Sequence, residues 1–300
     1  MHDFQAFEGK ASELNVNGIM ISQGGELIFE RHWQDDCRRN IYSASKSFTS
    51  AAVGIAIGEG LLSLGEPLTE AFTDYLPAQP GENLKRATVR DLLTMCLGQE
   101  KASLMGGQRP YIEQDDWAKL SLEIPFVDQP GTRFVYNNVG PYLAGVLVQR
   151  RCGTDLMQYL GPRLLRPLGI RHTMWEMDPK GYTFGAGGLF LTVRELHRFG
   201  ELYLAGGIWD GRQLIPADWV RDSTTKQVDN SKDEYGYGYL FWGGAHNSFR
   251  ADGKYGQLSI LFRDRDAVVT VMCDNHDSKA LMAAIYGEIY PDLRPQHHHY

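Results

Sequence analysis

The sequence predicts a two-lobed α+β fold: an antiparallel β-sheet flanked by helices, with a long, mainly helical lobe inserted into it. Three observations predict it. Short apolar runs closed by turn residues occur near both ends of the chain, at 16–33 and beyond Lys232. The segment between them repeats its apolar residues at helical spacing. The length, 300 residues, allows one large folding unit or two ordinary ones.

The elements follow in order. Ile19, Met20 and Ile21 precede Gly24-Gly25, and Leu27, Ile28 and Phe29 follow, which reads as a hairpin over 16–33. Residues 46–60 are rich in Ala, Ile and Val and end on a glycine, as a buried helix does. Further helices are expected over 88–97, 139–151, 155–166, 193–205 and 217–222, joined by loops that include 98–110 and 128–131. Strands are then expected at 237–242, 249–251, 257–263 and 267–274, the last two forming a hairpin around Asp264-Arg265-Asp266. A final helix is expected over 278–290. Pairing the two strand-rich ends in one sheet gives a single domain over 1–300. Its sheet lobe covers about 1–42 and 232–300, its helical lobe about 43–231, and a crevice between lobes is a common place for a binding site.

Composition narrows the class. The chain is 43% hydrophobic and 22% charged, which excludes a disordered tail, a collagen-like rod and a disulfide-stapled miniprotein. Thirty basic residues against 37 acidic ones give a formal charge of -7, and no long basic run exists, so nucleic acid is not an expected partner. Cys37, Cys96, Cys152 and Cys273 are scattered, which suits buried thiols in a reducing compartment. Residues 1–18 hold Asp3, Glu8 and Glu13 and no apolar core of a signal peptide. The most apolar stretch, 51–62, is interrupted by Glu59 and too short to cross a bilayer. The expectation is a cytoplasmic protein that takes a small-molecule substrate and binds neither membrane nor nucleic acid; its oligomeric state stays open. The run His297-His298-His299 is set aside from site reasoning.

The G-x-S-x-G, H-E-x-x-H, G-x-x-x-x-G-K-[ST] and G-x-G-x-x-G signatures are absent, and the nine histidines show no metal-ligand spacing, so no metal or cofactor is expected. What remains is Ser43-Ala44-Ser45-Lys46 at the start of the apolar helix. Residues i and i+3 share a helix face, so the lysine amine can reach the serine hydroxyl. It can take the hydroxyl proton when burial or a neighbouring cation lowers its pKa. By composition, chance supplies about 0.5 such matches. A second one, Ser223-Thr224-Thr225-Lys226, lies in a polar run and reads as a solvated loop. The chain's one Y-x-N, Tyr136-Asn137-Asn138, precedes a helix and also suits an ordinary N-cap turn. Its one K-x-G, Lys254-Tyr255-Gly256, enters a strand and also suits a surface turn.

Taken with their surroundings, these motifs resemble the serine β-lactamase and penicillin-binding-protein superfamily, nearest to the class C β-lactamase-like esterases and DD-peptidases. YSASKSFTSAAVGIAIGEG resembles the nucleophile helix, FVYNNVGPYLAGVLV the Y-x-N loop with its helix, and SFRADGKYGQLSILF the K-x-G strand. ATVRDLLTMCLG and GAGGLFLTVRELHRFGELYLAGGIWDGRQLI extend the resemblance over most of residues 19–274. The resemblance implies a β-lactamase/transpeptidase-like fold and an acyl-enzyme on Ser43, with Lys46 as proton acceptor. Tyr136 would shuttle the proton to the leaving group, its phenolate needing Lys46 and Lys254 nearby. Asn138 would orient Lys46 and bind a substrate amide, while Lys254 and Gly256 would form the substrate-binding motif. The backbone N–H groups of Ser43 and Gln257 would form the oxyanion hole.

Two departures bear on substrate. Tyr255 stands where the family has a small hydroxyl residue, and Gln257 follows the glycine. Both weaken recognition of a β-lactam carboxylate, so an esterase or small amidase is expected. A DD-peptidase or β-lactamase is the alternative, and a non-catalytic binding protein is a third reading. The loops over 99–117 and 235–242 hold Tyr111, Trp117, Tyr235, Tyr237, Tyr239, Phe241 and Trp242, which suit an apolar substrate wall or packing between lobes.

Overall fold

The computed structural model describes residues 4–295. Six strands form one antiparallel sheet: β1 (Val16–Gln23), β2 (Glu26–His32), β3 (Trp242–Gly244), β4 (Ser248–Gly253), β5 (Gln257–Phe262) and β6 (Ala267–Cys273). Their order is β2-β1-β6-β5-β4-β3, so the N-terminal hairpin pairs with the C-terminal strands as expected. Ile19 stands opposite Val271, and Val271 opposite Leu258. Every residue of β5 and β6 is buried, because helices cover both faces of the sheet centre. The edge strand β2 holds only half-buried and exposed positions.

One face is covered by α1 (Gln5–Ala11) and the C-terminal α5 (Ser278–Ala284), with Phe7, Leu281, Ile285 and Ile289 packing on Ile19, Ile260 and Val269. The other face carries α2 (Ser45–Gly58) and α4 (Val193–Leu204), whose Phe48 and Phe199 rings stack 3.8 Å apart. α4 falls in the segment assigned to the helical lobe, yet it lies against β1, β5 and β6. Thr192 and Glu195 cap its N-terminus reciprocally. α3 (Val139–Cys152) runs beside α2 and ends where Gly153 turns left-handed.

Several elements differ from expectation. The helix expected over 88–97 is only Val89–Leu93, because Met95 turns to φ 61 and the chain leaves helical geometry. The strand expected over 237–242 is a tight loop: Gly238 N–H donates to Phe241 O, Leu240 takes φ 63, and pairing with β4 starts only at Trp242. After α5 the chain continues as one wide turn, Ile285–Ile289, and a short 3-10 turn, Tyr290–Asp292. α1 carried too few apolar residues to be assigned from sequence. The second S-x-x-K segment is only partly a solvated loop: Ser223 and Thr224 are buried at the end of the helix Ala217–Ser223, and Thr225 and Lys226 reach solvent. The four cysteines are unpaired, with Cys96 and Cys273 buried and Cys37 exposed. No helix among the described residues is long and apolar enough to cross a membrane. The run 297–299 lies outside the described residues.

Candidate active site

Ser43 sits in the 3-10 turn Tyr42–Ala44 that leads directly into α2. Lys46, in the first turn of that helix, is 1% exposed. Its Nζ lies 2.8 Å from Ser43 Oγ and 2.7 Å from the carbonyl oxygen of Ala186. The i, i+3 spacing therefore does what helix geometry allows. The Tyr136 ring lies 5.0 Å below the Lys46 amine and packs on Trp242 at 5.2 Å.

Burial acts on these groups in opposite directions on the pH scale, because it disfavours whichever form is charged. It holds the Lys46 ammonium well below the ordinary lysine value, and the Arg109 guanidinium pushes it further down, against the pull of Asp252. It raises the Tyr136 phenol, an effect that a hydrogen bond with Ser43 partly offsets. Burial thus favours the neutral form of both the amine and the phenol. It disfavours the phenolate that the resemblance suggested.

Asn138 lines a cavity with Ser43 and makes no hydrogen bond to Lys46. Its Nδ2 donates to Leu104 O, and its Oδ1 is buried without a hydrogen-bond partner. Among the described residues the hydrogen-bond partners of Lys46 are Ser43 and Ala186. Ala186 was not foreseen, because a backbone carbonyl carries no side-chain signal.

Lys254, Tyr255 and Gly256 form the turn between β4 and β5, one step before the strand they were expected to enter. Lys254 lines both cavities that open onto Ser43, whereas Gly256 and Gln257 line neither. Gln257 is buried on β5 opposite Gly253. Its Nε2 donates to Cys273 O and Lys254 O, and its Oε1 accepts from Cys273 N. These bonds use the Gln257 side chain, and the backbone N–H expected in the oxyanion hole takes no part in them. Gly253 and Lys254 line one of these cavities together with Ser43. A side chain at Gly253 would place its Cβ 2.0 Å from Ile41 O, so only glycine lets β4 approach this closely.

Two cavities flank Ser43. One, of about 360 Å³, is lined by Tyr136, Trp242, Asp252, Lys254 and His276, among others. The second, of about 410 Å³, is lined by Met105, Arg109, Asn138 and Glu176. Ser43, Met105 and Lys254 belong to both, so a substrate bond at Ser43 has room on either side. Arg109, Glu176 and Asp252 were missed as site residues. Arg109 lay in a loop noted only for its aromatics, and its pairing with Glu176 joins residues far apart in the chain. Of the seven loop aromatics only Trp242 lines these cavities. Trp117, Tyr237, Tyr239 and Phe241 are core, and Tyr111 is 83% exposed, so packing explains most of them.

A six-stranded antiparallel sheet with helices on both faces, and a serine–lysine pair at the mouth of a buried helix, define a β-lactamase/transpeptidase-like protein. The Beta-lactamase family model matches residues 7–286, and the chain belongs to that family. It is similar to the 6-aminohexanoate-dimer hydrolase of Paenarthrobacter ureafaciens, 25% identical over 231 residues, which cover 71% of this chain and 58% of that protein. Among solved structures it superposes on simvastatin synthase from Aspergillus terreus with a TM-score of 0.74 and 17% identity, over 96% of each chain. It superposes on the octameric penicillin-binding protein homologue from Pyrococcus abyssi with a TM-score of 0.72 and 18% identity, over 94% of this chain and 75% of that one. The two superpositions show a shared fold.

Proposed function

We propose that this chain is a serine hydrolase that cleaves an ester or amide bond of a small substrate through an acyl-enzyme on Ser43. The observation that carries this is the buried Lys46 amine 2.8 Å from Ser43 Oγ. As the free base, Lys46 accepts the Ser43 proton while Oγ attacks the substrate carbonyl carbon. The tetrahedral oxyanion accepts hydrogen bonds from the backbone N–H groups of Ser43 and Gln257. Neither N–H takes part in the turn and cap hydrogen bonds around it, which run from Ala44 to Ile41 and from Gly256 to Gly253. The proton passes from Lys46 through the Tyr136 hydroxyl to the leaving oxygen or nitrogen, and the carbonyl–leaving-group bond breaks. A water then attacks the acyl carbon, gives its proton to the same pair, and releases the acid and Ser43.

Asn138 Oδ1, buried and unpartnered, suits a substrate N–H. The likeness to a 6-aminohexanoate-dimer hydrolase supports a linear amide or ester over a strained ring. In the test, wild-type protein and Ser43→Ala are treated with a fluorophosphonate probe and assayed with 4-nitrophenyl acetate. The expected result is a mass adduct and turnover in the wild type and neither in the variant. Turnover retained by folded Ser43→Ala overturns the proposal.

A DD-peptidase or β-lactamase is the second reading, favoured by Lys232 and Lys254 in one cavity, where they could hold a carboxylate. Covalent capture of penicillin by Ser43, read by intact mass, would support it.

A further inference from the structure

Tyr42 immediately precedes the nucleophile and Tyr255 immediately follows Lys254. Both have left-handed backbone, with φ 48 and φ 67. Bulky residues rarely adopt this conformation, and where they do, the surroundings must enforce it. Here each ring is the other's enforcement: they meet edge to face at 5.3 Å and 84°. Tyr255 is held again by the His276 ring at 4.7 Å and by the Lys254 ammonium at 4.8 Å.

The pair stands between two spaces. On one side Tyr255 lines the 360 Å³ cavity that contains Ser43. On the other, both rings line a basin of about 230 Å³ that does not contain Ser43. The basin is polar, with Asn17, Gln34, Arg39, Asn40 and Asp274 in its wall. Asn17 Oδ1 is buried and lacks a hydrogen-bond partner. A polar space beside a reactive serine, closed off by two strained aromatic residues, is a substrate boundary.

We propose that Tyr255 is a specificity-determining residue: its ring walls the acylation cavity off from the polar basin and restricts the substrate to compact acyl groups. Removing the ring joins the two spaces and admits acyl chains that end in a polar or anionic group. This rests on the acyl-enzyme reading of Ser43. It also gives physical meaning to the replacement of the family's small hydroxyl residue at this position.

The test compares kcat/KM for three esters: 4-nitrophenyl acetate, 4-nitrophenyl hexanoate and the mono-4-nitrophenyl ester of adipic acid. The variants are Tyr255→Gly, whose backbone suits a left-handed turn, Tyr255→Asn as a second small residue tolerant of it, and Tyr255→Phe. For the small residues the adipate-to-acetate ratio is expected to rise about tenfold or more, well above any rise for hexanoate. Tyr255→Phe should keep the wild-type ratio within about twofold. An unchanged ratio in a folded small-residue variant overturns the wall, and an equal rise for hexanoate and adipate overturns the assignment to the polar basin. Fluorophosphonate labelling separates the two readings. A wild type that fails to label at Ser43 defeats the acyl-enzyme, whereas labelling with an unmoved ratio defeats only the role of Tyr255.

Discussion

Arg109 grips Glu176 with two hydrogen bonds, Nη2 to Oε2 at 3.2 Å and Nε to Oε1 at 3.3 Å. The pair ties the loop over Ser43 to the segment that carries Ala186. The guanidinium also lies 4.4 Å over the Phe184 ring and donates to Leu104 O, the carbonyl that holds Asn138. Its charge acts on Lys46 as a like charge and lowers the amine's affinity for a proton. In Arg109→Gln, Lys46 binds a proton more readily, so its pKa rises. Free amine is then lost at higher pH, and the acid limb of kcat/KM for 4-nitrophenyl acetate should move upward. A limb that stays in place or moves down contradicts this role.

Lys46 makes stability depend on pH in a defined direction. Its pKa is lower in the folded chain than in the unfolded one, so the unfolded state binds more protons between those values. Stability therefore rises with pH in that window and falls as pH drops through it. Lys46→Met removes this dependence and should lower turnover by about 10²–10⁴-fold. Melting temperatures taken from about pH 7 to about pH 10 should show the variant losing ground to the wild type as pH rises. A difference that stays constant or changes in the variant's favour contradicts the assignment.

Gly54 of α2 tests the packing behind the nucleophile. A Cβ there would stand 2.1 Å from Trp219 Cδ1. In an open helix, Gly→Ala stabilises by about 1 kcal/mol. Overpacking a core costs about 1–3 kcal/mol, sometimes more, so the clash should win. Gly54→Ala is expected to lower the melting temperature by several degrees, roughly 2–4 °C per kcal/mol in a protein near this size. An unchanged or raised melting temperature would show that Trp219 yields without cost.

Much of the site was legible because its signals are local. Ser43 and Lys46 lie three residues apart on one helix, so helix geometry alone brings their side chains together. The hairpins announced themselves through glycine turns and apolar runs. Register, not spacing, decides which N–H groups of a hairpin stay free, so the place of Gln257 is read only from the pairing of β4 with β5. Gly253 approaches Ile41, and Gln257 is drawn into the ladder beside Cys273. The loop aromatics were ambiguous because a ring in a wall and a ring in a core have the same sequence pattern.

The sequence alone determined the hairpins of the sheet, the buried helix at Ser43 and the serine–lysine spacing, since each depends on residues close together in the chain. Only the tertiary structure decided the rest. It enclosed Lys46 so that its amine gives up a proton more readily, placed Arg109 and Glu176 over the cleft, and set Tyr255 against Tyr42. Those relationships depend on desolvation and on contacts between distant segments, quantities that exist only once the chain has closed on itself.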